Sequence, residues 1–249
     1  MNSYEKSIIA FLDILGFKNL INTEEFDKIK EIFQSIMSNK EALIALHIAT
    51  DGEASLERYN EVLSATKIHL MSDSIIVAAP NKCKEALAVV IDICSCIQTI
   101  LYEFESPIFL RGAIEIGDFF LDNNVIFGKG LVDAYVAQEN YAIYPRIIIS
   151  AEIVENMIVS MKEDYSGLPV DTDGYYYIDT LKRYINCNTK EELLNCERYI
   201  KIKECVQEKL KGYADSRIRE KYIWIKKELG RILRDLALKE GELILDYEF

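Results

Sequence analysis

The run SIIAFLDIL, Ser7 to Leu15, most constrains what this chain can fold into. It is rich in β-branched and aromatic residues and almost unbroken in hydrophobicity. That predicts a strand buried on both faces, and therefore a central one. One carboxylate, Asp13, interrupts it near its end, and Gly16 follows. A charge in such a run either caps a turn or faces a ligand at the edge of the sheet.

The rest of the chain supplies partners for that strand. From Phe17 to Asn39, residues Leu20, Ile21, Phe26, Ile29, Ile32, Phe33 and Ile36 recur at helical spacing and predict one apolar helix face. Lys40 to Leu63 is ambiguous, with TDGEASLERYNE reading as a loop or a weak helix. TKIHLMSDSIIVAAP predicts a β-hairpin turning at MSDS. A densely apolar helix, KCKEALAVVIDICSCIQTILYEF, is expected to start after Pro80 and Asn81. FLRGAIEIGDFFL, DNN and VIFG predict a second hairpin, LVDAYVAQENY a short helix and RIIIS a strand. Ser150 is positioned to cap a helix in AEIVENMIVSMK, and DGYYYIDTL predicts one more strand. The order through about residue 160 is β-α-β-β-α-β-β-α-β-α, which contains the βαββαβ pattern. The fold class expected is α+β, with a ferredoxin-like core and an extra hairpin.

The tail changes character. KEELLNCERYIKIKECVQEKLKG and SRIREKYIWIKKELGRILRDLAL are charged, proline-free and helically periodic, with Gly212 between them. They predict a core over residues 1–185 and a C-terminal helical extension over 186–249. The stripe Tyr222, Ile225, Leu229, Ile232 and Leu233 serves a dimer, caps the sheet or packs within the chain.

Composition narrows the function classes. Of 249 residues 50% are hydrophobic, enough for a substantial core without disulfides or metals. Twenty-nine basic against 41 acidic residues, a net charge of −12, argue against a broad electrostatic grip on nucleic acid or an anionic membrane. A local basic pocket for a small anion fits that balance. Six cysteines form no zinc-type pair of CxxC motifs, and only His47 and His69 are present, so structural zinc is not expected. The cysteines read as small buried hydrophobes of a reduced compartment. The N-terminus lacks a signal-peptide cleavage pattern and a membrane-spanning run, so a cytoplasmic protein is expected.

Three residues fall on neighbouring elements of the expected core. Asp13 ends the first strand, and Asp73 lies in the turn of the MSDS hairpin. In a βαββαβ sheet these segments are adjacent, so two carboxylates meet at one edge. Such a pair repels, and a divalent cation between them relieves the repulsion. Hard oxygen donors favour Mg²⁺ or Mn²⁺ sharing substrate phosphate oxygens. Arg111, inside the apolar strand LRGAIEIGD, needs an anionic partner. That partner is either a structural glutamate such as Glu115 or a nucleotide phosphate held in a charge-assisted fork.

At these residues a family resemblance emerges. FLDILGF resembles the F-x-D-[IV]-x-G-F signature of class III nucleotidyl cyclases, and HLMSDSIIVA resembles their second metal motif. LRGAIEIG resembles their M-R-x-G-I-x-x-G strand, and FGKGLVDAYVAQE the later G-x-x-V-N-x-A-x-R-L segment. The resemblance spans about residues 5 to 160 and leaves the tail helices outside. It implies that Asp13 and Asp73, with the Ile14 carbonyl, bind two Mg²⁺ or Mn²⁺ ions. The same resemblance implies that amides of LGF, ending at Phe17, cradle a triphosphate and that Arg111 binds phosphate. His69 stands where the family selects its base, by lysine or glutamate, and is otherwise an ordinary strand residue. The resemblance further implies a ribonucleoside triphosphate substrate and a head-to-tail homodimer, while the acidic balance and the lack of a spanning run argue against a nucleic acid or membrane partner.

The sequence departs from the family at its transition-state pair. Val132 or Asp133 stands for the asparagine, and Val136 or Ala137 for the arginine. Arg146 in YPRIIIS is a substitute candidate, or else a surface arginine at a strand edge. These departures resemble the divergent bacterial branch that includes pyrimidine nucleotide cyclases of antiphage defence, which implies CTP or UTP as substrate. Two other readings stand beside it. One is a catalytically inactive cyclase-fold module. The other is a different palm-domain enzyme, although MSDS carries neither G-G-D-E-F nor G-G-D-D.

Overall fold

The structure is a computed structural model of the 249-residue chain, in which residues 4–38, 53–122, 125–150, 153–155, 168–212 and 215–241 are described. The chain divides into two compact units. One comprises Met1–Ile100 with Phe109–Ile178, and the other Leu101–Ile108 with Asp179–Phe249.

The first unit is built on β1 (Glu5–Ile14), β2 (Lys67–Met71), β3 (Ser74–Pro80), β4 (Leu110–Asp122), β5 (Val125–Phe127), β6 (Ile147–Ile149) and β7 (Tyr176–Tyr177). Among the described residues, α1 (Phe17–Thr23), α2 (Phe26–Ser38) and α3 (Glu53–Ala65) lie between β1 and β2. Then α4 (Glu85–Tyr102) separates β3 from β4, and α5 (Lys129–Tyr141) separates β5 from β6. The sheet order is β2-β3-β1-β4-β6-β7, with β5 paired to β4 beyond that path. β1 runs antiparallel to both β3 and β4, and β6 runs parallel to β4. The first four strands therefore have the 2-3-1-4 order of a ferredoxin-like βαββαβ core, and β4–β5 is the extra hairpin. This is the α+β architecture that the strand and helix patterns predict.

β1 is central, as its hydrophobicity requires: Ile8, Ile9, Ala10 and Leu12 are all fully buried. Its register with β3 sets Ile9 and Phe11 beside Ala78 and Ile76. With Phe119 they form one apolar face, covered by Ala134 and Leu131 of α5. Two glycines let α5 come close. A Cβ on Gly130 would lie 2.8 Å from the Gly117 Cα and 2.6 Å from Ile9 Cδ1. By length and composition α4 is apolar enough to cross a membrane, with mean hydropathy 1.6, and 78% of it is buried within the fold.

Local details differ from the sequence expectations for identifiable reasons. The single helix expected from Phe17 breaks at Glu24, whose backbone is extended, and restarts at Phe26. The break changes the helical phase. Ile32 and Ile36 are buried, whereas Ile21 and Phe26 are exposed. β3 extends through Pro80, and α4 starts only at Glu85. Of the helix expected after Ser150, only 153–155 lie within the described residues; there the Ile153 N–H donates to Ser150 Oγ at 3.4 Å.

The second unit contains α6 (Thr180–Ile185), α7 (Lys190–Leu194), α8 (Glu197–Gly212) and α9 (Ser216–Lys239). The first long helix of the tail is thus two helices. Asn195 ends α7 by returning both its N–H and its side-chain amide to the Glu191 carbonyl. α6 was not signalled by apolar periodicity; Asp179 caps it by accepting from the Lys182 N–H. On α9, Ile225, Leu229, Ile232 and Leu233 are buried, and the helix packs on α8, so the predicted stripe has an intramolecular partner. Arg231 anchors this unit, donating to Asp179 at 2.6 Å, Glu228 at 2.9 Å and Asp235 at 3.2 Å.

All six cysteines are free, but only Cys94 and Cys205 are buried. The other four are partly exposed, which corrects the expectation that all are core hydrophobes.

Candidate functional site

Strand register assembles the site. Asp13 pairs across β1–β4 with Arg111 and across β1–β3 with Ser74, so Arg111, Asp13 and Ser74 form one row on one face. Asp73 immediately precedes Ser74, and its carbonyl accepts the Ile14 N–H at 2.9 Å. The two aspartate-bearing segments are therefore stitched together at the end of the central strands. Ser72, the other residue of the turn, adopts a left-handed backbone with φ 57°. Serine pays a steric penalty there, and this strained turn sets the direction in which Asp73 leaves the hairpin.

Arg111 Nε donates to Asp13 Oδ2 at 2.6 Å, and its side chain lies 3.6 Å from Glu139 on α5. The anionic partner of the strand arginine is thus the candidate ligand itself, with Glu139 second. Glu139 carried no signal in the sequence, because only the packing of α5 on the sheet brings it near β4.

His69 lies on β2 opposite Ile76, two cross-strand rows from the aspartate and so on the same face, and is partly buried. Phe17 starts α1 directly after Gly16, whose φ of 76° makes the tight turn, and its ring packs edge-on against Phe33 at 5.9 Å.

Arg146 is 2% exposed, so it is not the surface arginine that its sequence position suggested. Its guanidinium is held by Asp171 and Asp173 and lies near the rings of Tyr144 and Tyr177. Its backbone carbonyl accepts from Gly112, the neighbour of Arg111. The two aspartates come from the turn DTDG, a composition that marks turns but not their partners.

On α5, Val132 and Val136 are 57% and 43% exposed, while Ala134 and Ala137 face the sheet. Asp133 pairs with Lys129 one turn earlier.

The donor chemistry fits a particular class of cation. Two carboxylates and nearby backbone carbonyls are hard oxygen donors, and Asp13 already attracts one positive group. Among the described residues no cluster of three or more His, Cys, Asp or Glu side chains is placed to hold a metal. Mg²⁺ and Mn²⁺ take one or two carboxylates and complete their shell with water and substrate phosphate.

No protein-family model matches the chain. No curated protein matches it either. Several solved structures are similar. A guanylate cyclase domain from Catenaria anguillulae, solved in complex with GTP, is 13% identical with a TM-score of 0.46, covering 71% of this chain and 96% of that one. An adenylate/guanylate cyclase/hydrolase from Silicibacter pomeroyi is 18% identical with a TM-score of 0.43, covering 70% and 94%. A bacterial light-regulated adenylyl cyclase is 12% identical with a TM-score of 0.43, covering 81% and 98%. With every TM-score below 0.5, these likenesses carry no weight in assigning activity to this chain.

Proposed function

We propose that the chain is a nucleotide cyclase that converts a ribonucleoside triphosphate to a 3′,5′-cyclic nucleotide and pyrophosphate. In the finer form of this reading the substrate is a pyrimidine nucleotide, CTP or UTP, and the product is a signal in antiphage defence. One observation carries the proposal: the Asp13 and Asp73 segments are joined at one sheet edge, with Arg111 directly across from Asp13.

In the reaction, the ribose 3′-hydroxyl oxygen forms a bond to the α-phosphorus, the bond to the β-phosphate oxygen breaks, and the hydroxyl proton is lost to solvent. Asp13 and Asp73, with the Ile14 carbonyl, would hold Mg²⁺ or Mn²⁺. When bound, these ions supply Lewis acidity that lowers the hydroxyl's pKa and offsets triphosphate charge. Arg111 exchanges its hydrogen bond to Asp13 for one to the departing phosphates. The turn from Gly16 into Phe17 offers amides to the triphosphate, and His69 stands on the same face to meet the base. Orientation supplies much of the remaining acceleration, because nucleophile and electrophile belong to one molecule. Two copies associate head to tail in this reading.

A second reading is favoured by the residues standing for the resembled family's transition-state pair, Val132 or Asp133 and Val136 or Ala137. None of them can stabilise charge developing on a phosphate, which suits an inactive nucleotide-binding or interaction module. Incubating the chain with each of the four ribonucleoside triphosphates and Mn²⁺ separates the two. A cyclic product with stoichiometric pyrophosphate supports the cyclase; nucleotide binding without product supports the inactive module.

A further inference from the structure

Cys187 and Cys196 flank α7 in the helical unit. Cys187 follows Asn186, a left-handed residue with φ 49° that ends α6, and Cys196 immediately precedes α8. Their thiols converge on one acceptor. Cys187 Sγ donates to the Ile185 carbonyl at 3.5 Å, and Cys196 Sγ reaches the same oxygen at 3.8 Å. The two thiols are also near enough to influence each other electrostatically. Both are partly exposed, unlike Cys94 and Cys205.

Burial, reinforced by the neighbouring Cys196 thiol, pushes the Cys187 thiol up to about 12, so Cys187 stays protonated at neutral pH. The Cys196 carbonyl accepts the Ile200 N–H at 3.0 Å, which sets this residue at the positive end of the sixteen-residue helix α8. Arg198, held by the Tyr184 carbonyl at 3.0 Å and stacked over the Tyr184 ring, adds positive charge beside the pair.

We infer that Cys187 and Cys196 form a modification site, a dithiol that closes to an intrachain disulfide around α7 when it meets a peroxide. One sulfur of the pair, as its thiolate, attacks one peroxide oxygen, the O–O bond breaks, and the leaving hydroxide takes up the proton that thiol released, as water. The second sulfur then displaces hydroxide from the sulfenic acid, which leaves with the second thiol's proton as a second water. Two thiols lose two electrons in all and the peroxide gains them; a dithiol reductant reverses the change. Nothing in this inference depends on the nucleotide reading.

The test treats the native full-length chain with hydrogen peroxide, alkylates the remaining thiols and digests after lysine and arginine. Cleavage at Arg183, Lys190 and Arg198 separates YINCNTK from EELLNCER, so the disulfide appears as these two peptides joined. The expected result is loss of two of the six alkylatable thiols, appearance of the joined pair, and recovery of both thiols with dithiothreitol. Cys196→Ser should abolish the joined pair and leave Cys187 alkylatable, while Cys83→Ser should leave the pair intact. Recovery of both peptides singly alkylated, or of Cys196 as sulfinic acid with no joined pair, overturns the inference.

Discussion

Arg111 Nε donates to Asp13 Oδ2 at 2.6 Å from directly paired positions on β4 and β1, with side chains only 19% and 18% exposed. A pair so sheltered binds its members to each other in the absence of ligand and leaves either one costly to strand. Arg111→Met should therefore lower stability by about 1–3 kcal/mol. It should also weaken triphosphate binding roughly tenfold or more, the effect of one charge-assisted hydrogen bond. Arg111→Lys keeps the charge but not the fork, and should recover stability better than affinity. Denaturant titration and calorimetric binding of a non-hydrolysable triphosphate check both.

Arg146 makes a different use of charge. It is almost fully buried between Asp171 and Asp173, with its Nε lacking a hydrogen-bond partner. Removing it takes the ion pair from Asp171 and Asp173, which keep their turn hydrogen bonds from the Thr172 and Tyr175 N–H, and takes the cation from beside the Tyr144 and Tyr177 rings. Arg146→Met should cost about 3–5 kcal/mol, read as a lower urea midpoint at unchanged m-value.

Ser72 stores strain in the hairpin that carries Asp73. Its left-handed backbone costs an L-residue roughly 1 kcal/mol, a penalty that glycine avoids. Ser72→Gly should raise the thermal midpoint, and Ser72→Val should lower it. A hairpin that tolerates valine without loss would mean that this turn is unstrained in solution.

Much of this was legible in the sequence, and the parts that were not share a cause. SIIAFLDIL announced a central strand because hydrophobicity on both faces has few other uses, and β1 is central. The hairpin at MSDS and the α+β order followed from local patterns of the same kind. Helix ends were less legible. Glu24 and Asn195 interrupt runs that look continuous, since a break requires only one residue to leave helical geometry. Partners across the sheet were least legible. Glu115 was a reasonable guess for Arg111, yet register hands it Asp13, and α5 packing adds Glu139. The burial of Arg146 depends on a turn far along the chain, Asp171 to Gly174, whose composition says only that it turns.

The glycine contact between α5 and the sheet should be equally sensitive. Gly130→Ala drives a Cβ to within 2.8 Å of the Gly117 Cα, a backbone atom that cannot move aside cheaply. Overpacking of this kind should cost about 1–3 kcal/mol and displace α5, with Glu139, from Arg111. Thermal unfolding reads the loss, and a reduced effect of Glu139→Gln on triphosphate affinity in the same background reads the displacement.

The central claim is that Asp13 and Asp73 together carry nucleotide cyclisation. Its most direct test measures cyclic nucleotide and pyrophosphate formed from each ribonucleoside triphosphate with Mn²⁺, comparing the wild-type chain with Asp73→Asn at matched circular dichroism. The account predicts product from wild type, with CTP or UTP preferred, and a loss of at least roughly 10²-fold in the variant. Equal turnover by both proteins, or no product from wild type with any of the four nucleotides, would contradict it.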